Sequence, residues 1–118
     1  MIVTKEREGA VTVIRLSGRL TMGPRLSRFR ELFESLLAAR ERNIVIELSD
    51  ATFLDSAMLG EIMGCRRRMS HGSGRIVISG ACGKVRDLIS LTRFDRLIEM
   101  HPDLESALDA MAPAPAPD

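Results

Sequence analysis

Asn43-Ile44-Val45-Ile46-Glu47-Leu48 is a compact β-branched run, and a short way downstream stands Asp55-Ser56-Ala57-Met58-Leu59-Gly60. The first reads as a central strand, because β-branched side chains fit a pleated surface covered by neighbours. The second reads as a helix start. Asp55 stands where an N-cap belongs, its carboxylate able to accept from a backbone N–H one turn on. Leu59, Ile62, Met63, Arg66 and Met69 give this helix its stripe, and His71-Gly72-Ser73-Gly74 stops it. Arg75-Ile76-Val77-Ile78-Ser79 then repeats the β-branched pattern. Strand, helix and strand in succession make a βαβ unit, with parallel neighbours and a right-handed crossover. The fold class is α/β.

The same periodicities run outward in both directions. Upstream, Ile2 to Arg7 reads as a short edge strand, Glu8-Gly9 as a turn, and Val11 to Ser17 as a strand buried on at least one face. The segment Gly18 to Pro24 ends that strand, with Pro24 suited to the first helical position. Leu26, Phe29, Phe33, Leu36 and Leu37 mark an amphipathic helix of about four turns. Between the central strand and Asp55, Ser49 to Leu54 reads as a connection. Downstream, Gly80-Ala81-Cys82-Gly83 is a tight connection, and Val85, Leu88, Ile89 and Leu91 mark a short third helix. Leu97-Ile98-Glu99-Met100 is a last strand, and Pro102-Asp103 opens a helix carrying Leu104, Ala107, Leu108 and Met111. The expected architecture is a single domain over 1–111, a mixed sheet of about five strands with about four helices. Residues 112–118, alternating Ala and Pro, are expected to form a disordered, solvated tail. Pattern alone leaves open whether the helices cover one face of the sheet or both.

Composition narrows the function. A chain of 118 residues makes one domain. With 17 basic and 16 acidic side chains the net charge is +1, which argues against nucleic acid or an anionic membrane as the main partner. No stretch approaches the roughly 18 apolar residues of a spanning helix. The opening Met-Ile-Val-Thr-Lys-Glu-Arg-Glu has neither a basic leader nor an apolar signal core, which points to a cytoplasmic protein or a small subunit of an assembly. Cys65 and Cys82 are then expected to be reduced, in the role of small buried hydrophobes. Without Trp or Tyr, a stacking platform for bases or sugars is hard to build.

A search for catalytic chemistry finds no constellation. His71 and His101 have no Cys or His at metal-ligand spacing, and Cys65 and Cys82 form no CxxC pair, so no metal is expected. Gly80-Ala81-Cys82-Gly83-Lys84 resembles a phosphate loop only faintly: it lacks the glycine spacing and the Ser or Thr after Lys84. The chain reads as a non-enzyme without a cofactor. Arg66-Arg67-Arg68 points to different sides of its helix and makes no single patch. Gly60 and Gly64 share a helix face and are expected to let the sheet or a partner come close. Ser56 falls in the first turn of its helix, beside free backbone donors. That position is either an ordinary helix start or a place where a phosphate is held by N–H groups.

At this segment the chain resembles a STAS domain, the fold of bacterial anti-sigma factor antagonists and sulfate-transporter tails. The family hallmark, Asp-Ser-Ser-Gly-Leu-Gly after a central strand, is matched without a gap by Asp55-Ser56-Ala57-Met58-Leu59-Gly60. The resemblance runs from about Val3 to Met111. It includes Leu16 to Leu20, Ile44 to Ser49 and Glu105-Ser106-Ala107-Leu108. It implies an antagonist whose unphosphorylated form binds an anti-sigma factor with serine kinase activity and so frees a sigma factor. Phosphorylation falls at Ser56, and a serine phosphatase would reset it. Asp55, Ser56, Ala57, Met58 and Leu59 are then partner-binding, and family analogy places Thr21 and Met22 on the same rim. Ala57 and Met58 depart from the hallmark, and Met58 is expected to enlarge the apolar contact with the partner. A second reading is a constitutive scaffold, or a subunit of a lipid-transport ATPase or stress-signalling complex, with no phospho-switch. A third holds a nucleotide or lipid near the Gly80–Lys84 turn.

Overall fold

In the computed structural model, residues 1–23, 26–72 and 74–112 are described. The sheet begins with an antiparallel pair, β1 (Ile2–Glu8) and β2 (Val11–Leu20), in register from Ile2 opposite Ser17 to Glu8 opposite Val11. The chain then passes through α1 (Leu26–Ala38), β3 (Asn43–Glu47), β4 (Ala51–Leu54), α2 (Ser56–His71) and β5 (Arg75–Ser79). It ends with α3 (Gly83–Leu91), one 3₁₀ turn over Phe94–Arg96, β6 (Glu99–His101) and α4 (Leu104–Met111). The strand order is β1-β2-β3-β5-β6, with β2, β3, β5 and β6 parallel and β4 set against β2 off that path.

Two faces of this sheet follow from a period of two. Ile44 and Ile46 in β3, Ile76 and Ile78 in β5, and Ile14 and Leu16 in β2 face the layer made by α1, α2 and α3. Val45, Val77, Val11 and Val13 face the other way and meet Ala107 and Met111 of α4. Helices therefore cover both faces, three on one and one on the other. The repeated Ile-Val-Ile of β3 and β5 assigns the larger side chain to the thicker layer. α1 contributes Leu26, Phe29, Phe33 and Leu36 to it, at the spacing of one helix face.

Several expected boundaries move. β2 does not stop at Ser17. It runs on to Leu20 through an irregularity at Gly18 and Arg19, and this upper part pairs with β4. Ser49 to Leu54 is thus not a mere connection: Ala51 and Leu54 are buried, and β4 fills the ledge that β2 leaves beyond the end of β3. The last strand is shifted from Leu97–Met100 to Glu99–His101, because the chain first spends a turn of 3₁₀ helix. In α2 the buried stripe is Met58, Leu59, Ile62, Cys65 and Met69, with Cys65 rather than Arg66 facing the core. The expected roles of Pro24, Ser73 and the tail beyond Ala112 lie outside the described residues.

At the carboxyl ends of β3 and β5 lies a buried carboxylate. Glu47 Oε1 accepts from the Ser49 N–H at 2.7 Å and from the Ser49 hydroxyl, and its Oε2 accepts from Ser79 Oγ at 2.8 Å. These donors supply both carboxyl oxygens with hydrogen bonds, and among the described residues no basic side chain pairs with them. Gly80 follows at φ +72°, and a Cβ there would fall inside contact distance of Ser49 Oγ and Glu47 Oε1. Only glycine fits that backbone and that space.

Candidate functional site

The Ser56 site is assembled by one side chain. Asp55 is extended, and its backbone N–H donates to the Leu20 carbonyl at 3.2 Å, which places it at the end of the β2–β4 pair. Its Oδ1 accepts from the Met58 N–H at 2.8 Å, the N-cap bond of α2. Its Oδ2 accepts from the Met22 N–H at 3.3 Å. One carboxylate thus ties the first turn of α2 to the segment after β2. The Oδ2 bond sets Met22 beside Asp55, with Thr21 its neighbour in the chain, and Met22 is 45% exposed, high for so large an apolar side chain.

Helix geometry divides the hallmark segment. Ser56 and Ala57 are exposed, whereas Met58 and Leu59 are wholly buried in the core beneath α2. The expectation that Met58 broadens an apolar surface for a partner is corrected here. Its side chain points inward with Leu59, so both support the site from below and neither offers side-chain surface to a partner.

Beside Ser56 runs a groove of about 470 Å³. One wall is Phe53, Leu54, Asp55 and Ser56; the other is the outer face of α3, namely Lys84, Asp87, Leu88 and Leu91. Leu91 is 82% exposed, so it lines this groove and falls outside the core stripe expected for α3, whose buried members are Val85 and Ile89. Arg19 lies over the Phe53 ring at 4.5 Å. The face was missed in the sequence, although Lys84, Asp87, Leu88 and Leu91 fall at i, i+3, i+4 and i+7, one side of a helix.

The other candidate positions separate from this site. The sheet does not pack closely on Gly60 or Gly64, because a Cβ at either would meet nothing within 4 Å among the described residues. They line a groove of about 380 Å³ between α1 and α2, with Phe29 and Phe33 on the far side. Arg30 pairs with Glu61 at 2.5 Å and Arg68 with Glu34, joining the two helices across it. The Arg30 hydrogen bond holds the Glu61 carboxyl below its usual range. Cys65 is buried there, and burial pushes its thiol up to about 12. Cys82, expected to be buried, is exposed, its Sγ donating to the Ser49 carbonyl at 3.8 Å. His71 is an exposed last-turn residue of α2, and His101 pairs with Glu99 at 2.6 Å. Among the described residues no group of three His, Cys, Asp or Glu is arranged to hold a metal ion.

The family model described as Mlab, STAS domain matches residues 3–99. This chain belongs to the STAS domain family. The domain is 27% identical over 93 residues to a STAS-domain containing protein of Pseudomonas aeruginosa, covering 79% of this chain and 90% of that one. Its fold superposes on an anti-sigma factor antagonist from Mycobacterium paratuberculosis with a TM-score of 0.82, at 24% identity and 92% coverage of both chains. SpoIIAA of Bacillus, an anti-sigma factor antagonist, matches in its unphosphorylated form with a TM-score of 0.79, at 20% identity over 93% of this chain and 96% of that one. SpoIIAA has also been solved phosphorylated. No described helix of this STAS domain is long and apolar enough to cross a membrane.

Proposed function

We propose that this STAS domain is an anti-sigma factor antagonist of the bacterial cytoplasm that works by partner switching. Unphosphorylated, it binds an anti-sigma factor with serine kinase activity and so frees a sigma factor. Phosphorylation at Ser56 ends the binding, and a serine phosphatase restores it. The domain spans 1–111. The observation that carries this reading is the exposed Ser56 hydroxyl on a rim shared with Met22 and an apolar groove, held by a cap that does not depend on it. A modification there changes the surface without disturbing the fold.

The chemistry is a phosphoryl transfer. Ser56 Oγ bonds to the terminal phosphorus of a nucleoside triphosphate held by the kinase. The bond from that phosphorus to the diphosphate breaks, the diphosphate leaves, and the hydroxyl proton passes to a base on the kinase. About −1.5 to −2 charge and three acceptor oxygens then stand where the partner must pack. The same-fold relative SpoIIAA, known in both phosphorylated and unphosphorylated forms, supports such a pair of states. Asp55, Ser56, Ala57, Thr21 and Met22 form the contact rim in this reading.

A second reading, a constitutive subunit or scaffold, is kept because the matching family model is described by Mlab and not as an anti-sigma factor antagonist. Paired capture from lysate of the source organism separates the two, with the wild type and Ser56→Glu as baits. Recovery of an ATPase-fold serine kinase with the wild type alone is expected. Equal recovery of the same partners with both baits would sink the switch and leave the scaffold.

A further inference from the structure

Lys84 sits where helix stability does not ask for it. It is in the first turn of α3, which carries no acidic residue, so its ammonium opposes the positive end of the helix dipole. Among the described residues it has no carboxylate partner. It lines the same groove as Ser56, which is in the first turn of α2 on the opposite wall. Both helices therefore bring N-terminal ends to one groove, with a free cation between them and an apolar strip, Phe53, Leu88 and Leu91, along it.

We propose that Lys84 is the internal counter-ion of a phosphate carried on Ser56, drawing the modified side chain toward α3 and across the apolar strip. This rests on Ser56 being the residue that is phosphorylated. The charged side chains that line the groove with Ser56 are Lys84 on the attractive side and Asp55 and Asp87 on the repulsive side. Arg19 is engaged over the Phe53 ring, and the Asp55 oxygens are taken up by the Met58 and Met22 N–H groups. Lys84, on a flexible stem, is the cation free to move to the new charge. The off state then hides apolar surface as well as adding charge to it.

The test uses the full chain with phosphoserine placed at position 56 during translation, so that no kinase is needed. The second ionisation of the phosphate is followed by phosphorus NMR against pH; it lies near 6 in an unpaired phosphoserine. Lys84→Gln is expected to raise that ionisation by roughly half a unit, the scale of one exposed opposite charge. Lys84→Arg should leave it near the wild-type value. The chain has only two lysines, Lys5 and Lys84. Lys5→Gln is therefore the control for net charge, and it should move nothing. An unshifted titration in Lys84→Gln, or an equal shift in Lys5→Gln, would overturn the pairing. The outcome does not depend on partner capture: a Lys84 shift together with capture indifferent to the phosphate would retain the pairing and refute the switch.

Discussion

Thr12 shares the parity of Ile14 and Leu16 in β2 and so points toward the three-helix layer, where Ile44 is its neighbour on β3. It is buried, and among the described residues its hydroxyl has no hydrogen-bond partner. A buried unsatisfied hydroxyl costs about 1–3 kcal/mol relative to an apolar group of the same shape. Thr12→Val keeps the shape and the strand preference, so it should raise stability by about 1 kcal/mol, read as a higher urea midpoint with an unchanged slope. The sequence offers no sign of this, because a Thr on a strand is ordinary until its neighbours are known. Asp55 is the opposite case. Its cap was legible from one carboxylate preceding a helical stripe, yet its second bond, to Met22, joins residues far apart in the chain and appears only in the fold. Cys82 and Met58 show the same limit. Each was assigned by residue type, and the local backbone decided otherwise: a helix cap turns Cys82 outward, and the fourth residue of the hallmark faces the core.

Elements with an unbroken period were read well, and those defined by a partner were not. β3, β5, α1 and α2 announce themselves by β-branched runs or a helical stripe. β4 has four residues and a buried-exposed pattern too short to read; it exists because β2 overshoots β3 and leaves open hydrogen-bonding groups. The groove-facing side of α3 was hidden because Leu91 looked like core and Leu88 both packs against the core and lines the groove. The turn between β5 and α3 shows how tightly these elements are joined. Gly80→Ala places a Cβ against Ser49 and Glu47 at a left-handed φ, and it should cost about 2–4 kcal/mol, from strain and a disrupted buried carboxylate. Gly83→Ala has a similar positive φ, +55°, but open space around it, and should cost only about 1 kcal/mol. Equal losses in thermal or urea unfolding would mean that the Glu47 cluster contributes nothing.

Over the whole molecule, strand order moves steadily from β2 through β3 and β5 to β6 without reversing. Ligand crevices in open α/β sheets form where that order reverses, which fits a protein whose candidate site is a rim and an adjoining groove. Alkaline pH provides a global check on the core. The Cys65 thiol is raised from 9.0 to about 12, so the folded state favours its neutral form. That stabilisation is full below about pH 9 and is lost as pH climbs through 9 toward 12. The Cys65→Ala comparison cancels what every other titrating group contributes. Wild-type stability should fall by on the order of 1–2 kcal/mol more than that of Cys65→Ala between pH 8 and 10.5. Parallel curves would refute the assignment.

The division of the sheet into an isoleucine face and a valine face has a mechanical consequence. Among the described residues, side chains under α4 and side chains under α1–α3 belong to separate clusters, with the strand backbones between them. A tether, fusion or anchoring subunit that grips the α4 side holds the domain from behind. Ser56 and its groove then remain free to be presented, and the grip can be changed without retuning what they recognise.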